Sequence, residues 1–276
     1  MPPNTFESVI EAFSRQSIHY DLYEEDHLTL RWMRKQVREH LLSFLNPNDM
    51  ILEINAGTGL DAVFFAKKGW RIHATDISEG MIEQMKLKVS SLSLMDKVTI
   101  QQCSFTELSE IKAGPFDHIF SNFGGLNCLQ DLNEAIIFFP SLLKEGGKVT
   151  IVIMPPVCPW EISLALKGKF NAAFRRLSRK GTSAHIEGIY FICYYHSVSS
   201  ALKALGKNFK KRSLRGLCSF TPPPYMKSFP VKFPQTFRFL NKLDEKLSKF
   251  YPWNSFADHY ILTVEFKPNK KNSLMN

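Results

Sequence analysis

The chain has 276 residues, 44% hydrophobic and 22% charged, the make-up of an ordinary folded protein with one large domain, or one domain carrying a cap. No run approaches the roughly 18–20 apolar residues that span a bilayer, and MPPNTFESVIEAFSRQ lacks the basic end and apolar core of a secretory leader. The five cysteines, 103, 128, 158, 193 and 218, form no CxxC pair, so reduced thiols in a cytoplasmic protein are expected, with neither a disulfide framework nor a metal site.

Residues 6–45 carry apolar positions spaced at three and four, predicting helices. NPND breaks the chain, and MILEIN (50–55) is the nearly continuous apolar run of a strand covered on both faces. LDAVFFAKKG predicts a helix closed by Gly69, RIHATD a second strand, and Ser78 caps a helix through MIEQMKLKV. KVTIQQCSF and FDHIFSNF read as strands three and four. DLNEAIIFFPSLLKEGG (131–147) predicts one helix, with Asp131 and Glu134 at capping-box spacing, and KVTIVIM is strand five. This alternation predicts an α/β fold: a doubly wound, mostly parallel seven-stranded sheet with helices on both faces. Ligands of such sheets bind at the strands' carboxyl edge.

Beyond Met154 a helical excursion to Gly181 is expected, then a strand in IYFICYYH, a helix in SVSSALKALG and a strand in FKKRSLRGLCSF. After TPPPY comes an amphipathic helix facing inward through Phe237, Leu240, Leu243, Leu247 and Phe250, then a last strand, DHYILTVEF. The expected organisation is a helical lid (1–45), a core (46–154), a cap insertion (155–206) and closing strands with a helix (207–276). The net charge of +9 is uneven. Residues 1–155 hold 14 basic and 20 acidic side chains (−6), and residues 156–276 hold 21 and 6 (+15). That second half is either a solvated basic surface or a contact for an anionic partner.

Gly57, Gly59 and Ala62 match G-x-G-x-x-G/A, where the backbone turns sharply and lets a ligand come close, and Asp76 stands where a ribose carboxylate belongs. A carboxylate at Glu53 suits a cationic cofactor with an amino group better than a pyrophosphate. ILEINAGTG resembles the first motif of class I S-adenosylmethionine-dependent methyltransferases: a strand ending in an acid, here Glu53, then a turn through Asn55, Ala56, Gly57, Thr58 and Gly59. ATDIS resembles the end of their second strand, GPFDHIFSNFGGLNCL their fourth strand, and LLKEGGKVTIVI their fifth. FSRQSIHYDLYEED is similar to the lid of small-molecule methyltransferases. The resemblance, over roughly residues 10–155, implies S-adenosyl-L-methionine as cofactor and S-adenosyl-L-homocysteine as product. It places Tyr20 near the cofactor, Asp76 on the ribose, and Ile77, Met81, Phe105, Asn122 and Phe123 around it. Two positions depart from the family pattern. Asn55 replaces the first glycine, and Ser104 stands where many members have an aspartate facing the adenine.

The sulfonium methyl is already activated, so the protein mainly aligns the acceptor. Where a base is needed, His185, His196 and His259 are candidates, His196 first because it ends a strand. TPPPY lies too far along the chain to be the amino-group methyltransferases' loop and reads as a rigid turn. The expected acceptor is small or lipid-like, through O, N or C. Apolar residues from Trp160 to Phe174 would supply the cap, KGKFNAAFRRLSRK could touch an anionic surface, and nucleic acid is not expected. Two rivals stand. A dinucleotide-dependent oxidoreductase would need Tyr-x-x-x-Lys, which Tyr190, Tyr194 and Tyr195 lack; a non-catalytic binding protein would explain Asn55 and Ser104.

Overall fold

The computed structural model describes residues 6–268. Helices α1 (Phe6–Glu25) and α2 (Leu28–Leu42) precede a core built of β1 (Met50–Ile54), α3 (Leu60–Lys67), β2 (Arg71–Asp76), α4 (Glu79–Ser91), β3 (Val98–Gln102) and β4 (Phe116–Ser121). Next come α5 (Asn133–Ile136), α6 (Phe139–Leu142) and β5 (Leu143–Ile153). The single helix expected over 131–147 is thus two short turns and the start of a strand. Pro140 lacks the amide a continuous helix would need and crowds the preceding turn. The amide of Asn133 donates to Asp131 Oδ1 at 3.0 Å.

After β5 the chain forms α7 (Pro159–Ile162), α8 (Phe170–Phe174), the pair β6 (Thr182–Ile186) and β7 (Ile189–Cys193), and α9 (Val198–Leu205). The chain closes with β8 (Phe209–Leu217), α10 (Phe229–Lys232), α11 (Pro234–Leu247) and β9 (His259–Phe266). The strand expected in IYFICYYH ends at Cys193. It pairs antiparallel with β6, a strand outside the elements expected from the sequence, across the turn Glu187–Gly188. Both turn residues have positive φ, as a two-residue hairpin turn requires.

The seven-stranded sheet runs β3-β2-β1-β4-β5-β9-β8, parallel from β3 to β5, with β9 antiparallel to both its neighbours. Strand alternation divides β1 between two cores. Leu52 and Ile54 join the cluster under α5, α6 and α9, with Ala201 and Leu205 of α9 buried in it. Ile51 packs on the other face against Met33 and Val37 of α2 and Phe65 of α3. The same alternation sends Glu53 toward α2 and α3. On α11, Phe237 and Asp244 are the buried positions, whereas Phe250 lies beyond the helix and is exposed, correcting the expected apolar stripe. The Asp244 carboxylate takes the amides of Ser219, Phe220 and Thr221 at 2.7–3.1 Å, so this helix holds the turn that TPPPY continues.

Candidate cofactor site

At the carboxyl edge of the sheet lies a cavity of about 660 Å³, counting the open solvent at its mouth. The turn after β1 contributes Asn55 and Gly57, the end of β2 and the turn beyond it give Asp76, Ile77 and Ser78, and α4 adds Met81. Cys103 and Phe105 follow β3; Asn122, Phe123, Gly125 and Cys128 follow β4. The lid α1 closes the space with Val9, Phe13 and Tyr20.

Asp76 organises the floor. Its Oδ2 accepts the Gly57 amide at 2.8 Å and its Oδ1 the Ser78 amide at 2.9 Å. Burial pushes its carboxyl above the usual range, against the pull of those amides. A carboxylate has about four acceptor positions, and with the Ile77 amide also lowering the carboxyl's pKa at least one remains for a ligand's hydroxyls. Gly57 has a φ of +58°, open to glycine without strain.

Asn55, at the family's first glycine position, has a φ of +52°, which asparagine tolerates. Its side chain ties the turn after β1 to the loop after β4: Nδ2 donates to the Asn122 carbonyl at 3.0 Å, and Oδ1 accepts from Ser121 Oγ at 2.6 Å. A Cβ on Gly125 would lie 2.5 Å from the Asn55 amide. The asparagine and the glycine are therefore complementary.

Helix α1 is tied to the core at two places. Ser14 Oγ meets Ser78 Oγ at 2.8 Å, and a Cβ on Gly80 would come 2.8 Å from the Ser14 carbonyl. Farther along α1, Asp21 accepts from Thr58 Oγ1 at 2.6 Å and pairs with Lys88 at 2.5 Å, while Lys88 also donates to the Thr58 carbonyl at 2.8 Å.

Behind the cavity lies a buried charge cluster. Arg34 of α2 donates to both carboxylate oxygens of Glu24 and to Asp61, at the start of α3. Arg38 Nε reaches Asp61 Oδ1 at 2.6 Å, and Asn122 Nδ2 reaches Asp61 Oδ2 at 2.7 Å. The Arg34 guanidinium lies 4.5 Å from the centre of the Phe123 ring and also bonds the Tyr20 phenol, whose pKa burial raises. Burial alone would raise Asp61, but Arg34 and Arg38 hold it below the usual carboxylate range. Glu53 sits at the edge of this cluster, 3% exposed, with no partner for Oε2. Burial and the neighbouring Asp61 charge push its carboxyl well above its ordinary value.

Nine of the expected cofactor residues line the cavity: Tyr20, Asn55, Gly57, Asp76, Ile77, Met81, Phe105, Asn122 and Phe123. Glu53, Ala56, Thr58, Gly59 and Ser104 are not among its walls. Ala56 donates its amide to the Thr75 carbonyl at 2.9 Å, Thr58 holds the lid, and Gly59 starts α3 where a Cβ would meet Met85. The Ser104 hydroxyl is occupied by Thr106, at 2.7 Å from its Oγ1 and 3.1 Å from its amide. The three candidate histidines are not among the cavity walls either, although His259 lies edge-on to Phe123 with ring centres 6.3 Å apart. His196 Nε2 bonds the Leu129 carbonyl at 2.9 Å, and burial lowers its pKa. His185 is exposed on β6 against Tyr190, and His259 bonds Asp258 at 2.9 Å.

Sequence reasoning missed Arg34 and Asp61. The available signal was a charge in an apolar stripe, since Arg34 lies three and seven residues from Val37 and Leu41 on the buried face of α2. A second buried arginine, Arg176, bridges Glu161 at 2.7 Å and Asp258 at 2.6 Å. With Cys158, these carboxylates offer ligand atoms within 4.8 Å of one another, but the guanidinium already supplies the cation there.

Residues 51–147 match the family described as a methyltransferase domain. An S-adenosyl-L-methionine-dependent Diels-Alderase from Talaromyces variabilis is 27% identical over 121 residues, 43% of this chain and 41% of that protein. A demethylmenaquinone methyltransferase from Corynebacterium efficiens is 28% identical over 130 residues, 47% of this chain and 51% of its own length. The chain thus spans about half, or less, of the curated relatives it matches. Among solved structures, geranyl diphosphate C-methyltransferase from Streptomyces coelicolor A3(2) superposes with a TM-score of 0.55 at 14% identity, covering 84% of this chain and 79% of that one. At that identity the likeness is one of fold.

Proposed function

We propose that the cavity beside residues 51–147, which match a methyltransferase domain, binds S-adenosylmethionine and that the chain methylates O, N or C of a small, apolar or lipid-like acceptor. The observation that carries the reading is Asp76: a buried carboxylate fixed by backbone amides, with acceptor capacity left over in a cavity otherwise walled largely by apolar side chains. When bound, S-adenosylmethionine supplies an activated methyl on a sulfonium.

The chain's own residues then have separable tasks. Asp76 accepts the ribose hydroxyls, and Ile77, Met81 and Phe105 provide apolar faces for the base. The turn from Asn55 to Gly57, with Tyr20 and Asn122, holds the amino-acid end. Val9, Phe13 and Cys128 offer apolar surface to the acceptor and keep water out. Orientation of the two reactants, worth up to roughly 7–11 kcal/mol, is the main source of acceleration in this reading.

The cavity walls carry no histidine or lysine, which favours acceptors that need no protein base. The same observation supports a second reading, in which the cofactor is held without transfer. One relative is named a Diels-Alderase, and a [4+2]-cyclase shares the fold at a TM-score of 0.53. Incubation with methyl-labelled S-adenosylmethionine and phenol, amine and isoprenoid acceptors separates the two. The first reading expects label in an organic extract; tight binding with no label in any acceptor would favour the second.

A further inference from the structure

The cap carries the most exposed large apolar side chain among the described residues, Leu166, with others beside it. Leu166 is 91% exposed, Phe170 61% and Leu177 56%, all on or beside α8. The chain between TPPPY and α11 continues this face: Trp160 of α7 lies ring to ring with Phe229 of α10, and Phe229 in turn with Phe233. Val231 beside them is 72% exposed. The face then reaches the lid, because Lys227 sits 5.1 Å above the Tyr23 ring and His27 Nε2 bonds the Pro224 carbonyl at 2.8 Å. Ile18 and Leu22, one turn apart on α1, are also exposed, although Tyr20 between them faces the cavity.

Scattered exposed leucines need no explanation, but a connected apolar face does. Its charge says what covers it. Residues 162–180 and 221–233 contain no carboxylate, while Lys167, Lys169, Arg179, Lys180, Lys227 and Lys232 are all exposed among the apolar positions. Arg175 is the exception, since its guanidinium is already engaged by Glu161 at 2.7 Å. Among the described residues no helix is long and apolar enough to cross a membrane. Aromatic and aliphatic side chains interleaved with unpaired basic ones suit the boundary of an anionic bilayer, where rings sit at headgroup depth and lysine stems reach outward.

We infer that the face formed by α8 and the segment 221–233 is a peripheral docking surface for an anionic lipid bilayer. Through Lys227 and Pro224 the docked face adjoins α1, whose inner side lines the cavity. A lipid-like acceptor would then pass from the bilayer to the cavity beneath α1; this last step rests on the acceptor class proposed above, whereas the docking does not.

The test is flotation of the protein with vesicles of phosphatidylcholine alone or of equimolar phosphatidylcholine and phosphatidylglycerol. The full chain is compared with a Leu166→Asp, Phe170→Asp double variant. The expected result is partition onto the anionic vesicles only, weakened by salt and reduced roughly tenfold or more in the variant. Thermal melting and S-adenosylmethionine titration of the variant should be unchanged, since neither residue touches the cavity. Equal binding to both vesicle types, or to neither, would overturn the inference. So would a dimer in the absence of lipid that the double variant dissociates, because the face would then be a contact between copies. Retained vesicle binding without cofactor binding would remove the proposed enzyme function and leave the docking surface in place.

Discussion

Two buried arginines close this molecule, and they differ in whether a buried acid beside them is left unpartnered. Arg176 draws the cap onto the sheet: it meets Glu161, Asp258 and the Asp258 carbonyl, while Asp258 also takes His259. Burial would raise Asp258, but Arg176 and His259 hold it far below the usual range. Arg34 draws the lid onto the core through Glu24 and Asp61, yet its surroundings include one carboxylate oxygen, on Glu53, with no partner. Unpaired buried charge is costly. The cluster whose hydrogen bonds close on themselves serves architecture. The incomplete one backs Tyr20, Asn122 and Phe123, the walls of the cavity.

Removing either arginine should break this comparison most sharply. Arg176→Leu takes a shared cation from two buried carboxylates, leaving Glu161 to Arg175 and Asp258 to His259, and should cost up to about 3–5 kcal/mol of unfolding free energy in urea, with cofactor affinity of the folded fraction unchanged. Arg34→Leu should cost a similar amount and weaken S-adenosylmethionine binding as well. If both variants lose only stability, the functional distinction fails. Next in size, Asp76→Ala should weaken cofactor binding by about 1.5–3 kcal/mol, the scale of hydrogen bonds to a charged group; unchanged affinity by calorimetry would remove Asp76 from the site.

Unfolding measured against pH sharpens the comparison within the Arg34 cluster, because its two acids have opposite signs. Asp61 is held below its ordinary value, so its stabilisation is present above the usual carboxylate range and lost as pH falls through the depressed value. The deficit of Asp61→Asn should therefore be large at neutral pH and shrink on acidification. Glu53 is raised, so its contribution is fully present in acid and lost as pH climbs toward that raised value. Glu53→Gln should match the parent in acid and gain on it as pH rises. The smallest effect is expected at the lid latch, where Thr58→Val removes a hydrogen bond worth about 1 kcal/mol. It should speed amide exchange in α1 while leaving the sheet protected.

The core was legible because its signals are local. A buried strand, a glycine turn and a capping serine each declare themselves within a few residues, and alternation places them on one sheet edge. Those signals pointed to Gly57 and Asp76, and the family resemblance to Met81, all three of which line the cavity. Pro140, which divides 131–147, was visible in the sequence, but the capping residues Asp131 and Glu134 pointed to a longer helix. β6 was not legible, since TSAHI has little apolar content and gains its partner only through the positive-φ turn at Glu187–Gly188. Arg34 with Asp61 spans 27 residues, and Arg176 with Asp258 spans 82. Pairings at such separations leave no periodic trace. The motif's Glu53 was conspicuous, but β1 alternation turns it toward α2 and α3 and away from the walls of the cavity.

Calorimetric titration of the full chain with S-adenosylmethionine, S-adenosylhomocysteine and NAD tests the central claim most directly. Binding of the two sulfur compounds in the micromolar range, with none of NAD, is the predicted result. Binding of NAD, or of none of the three, would contradict it.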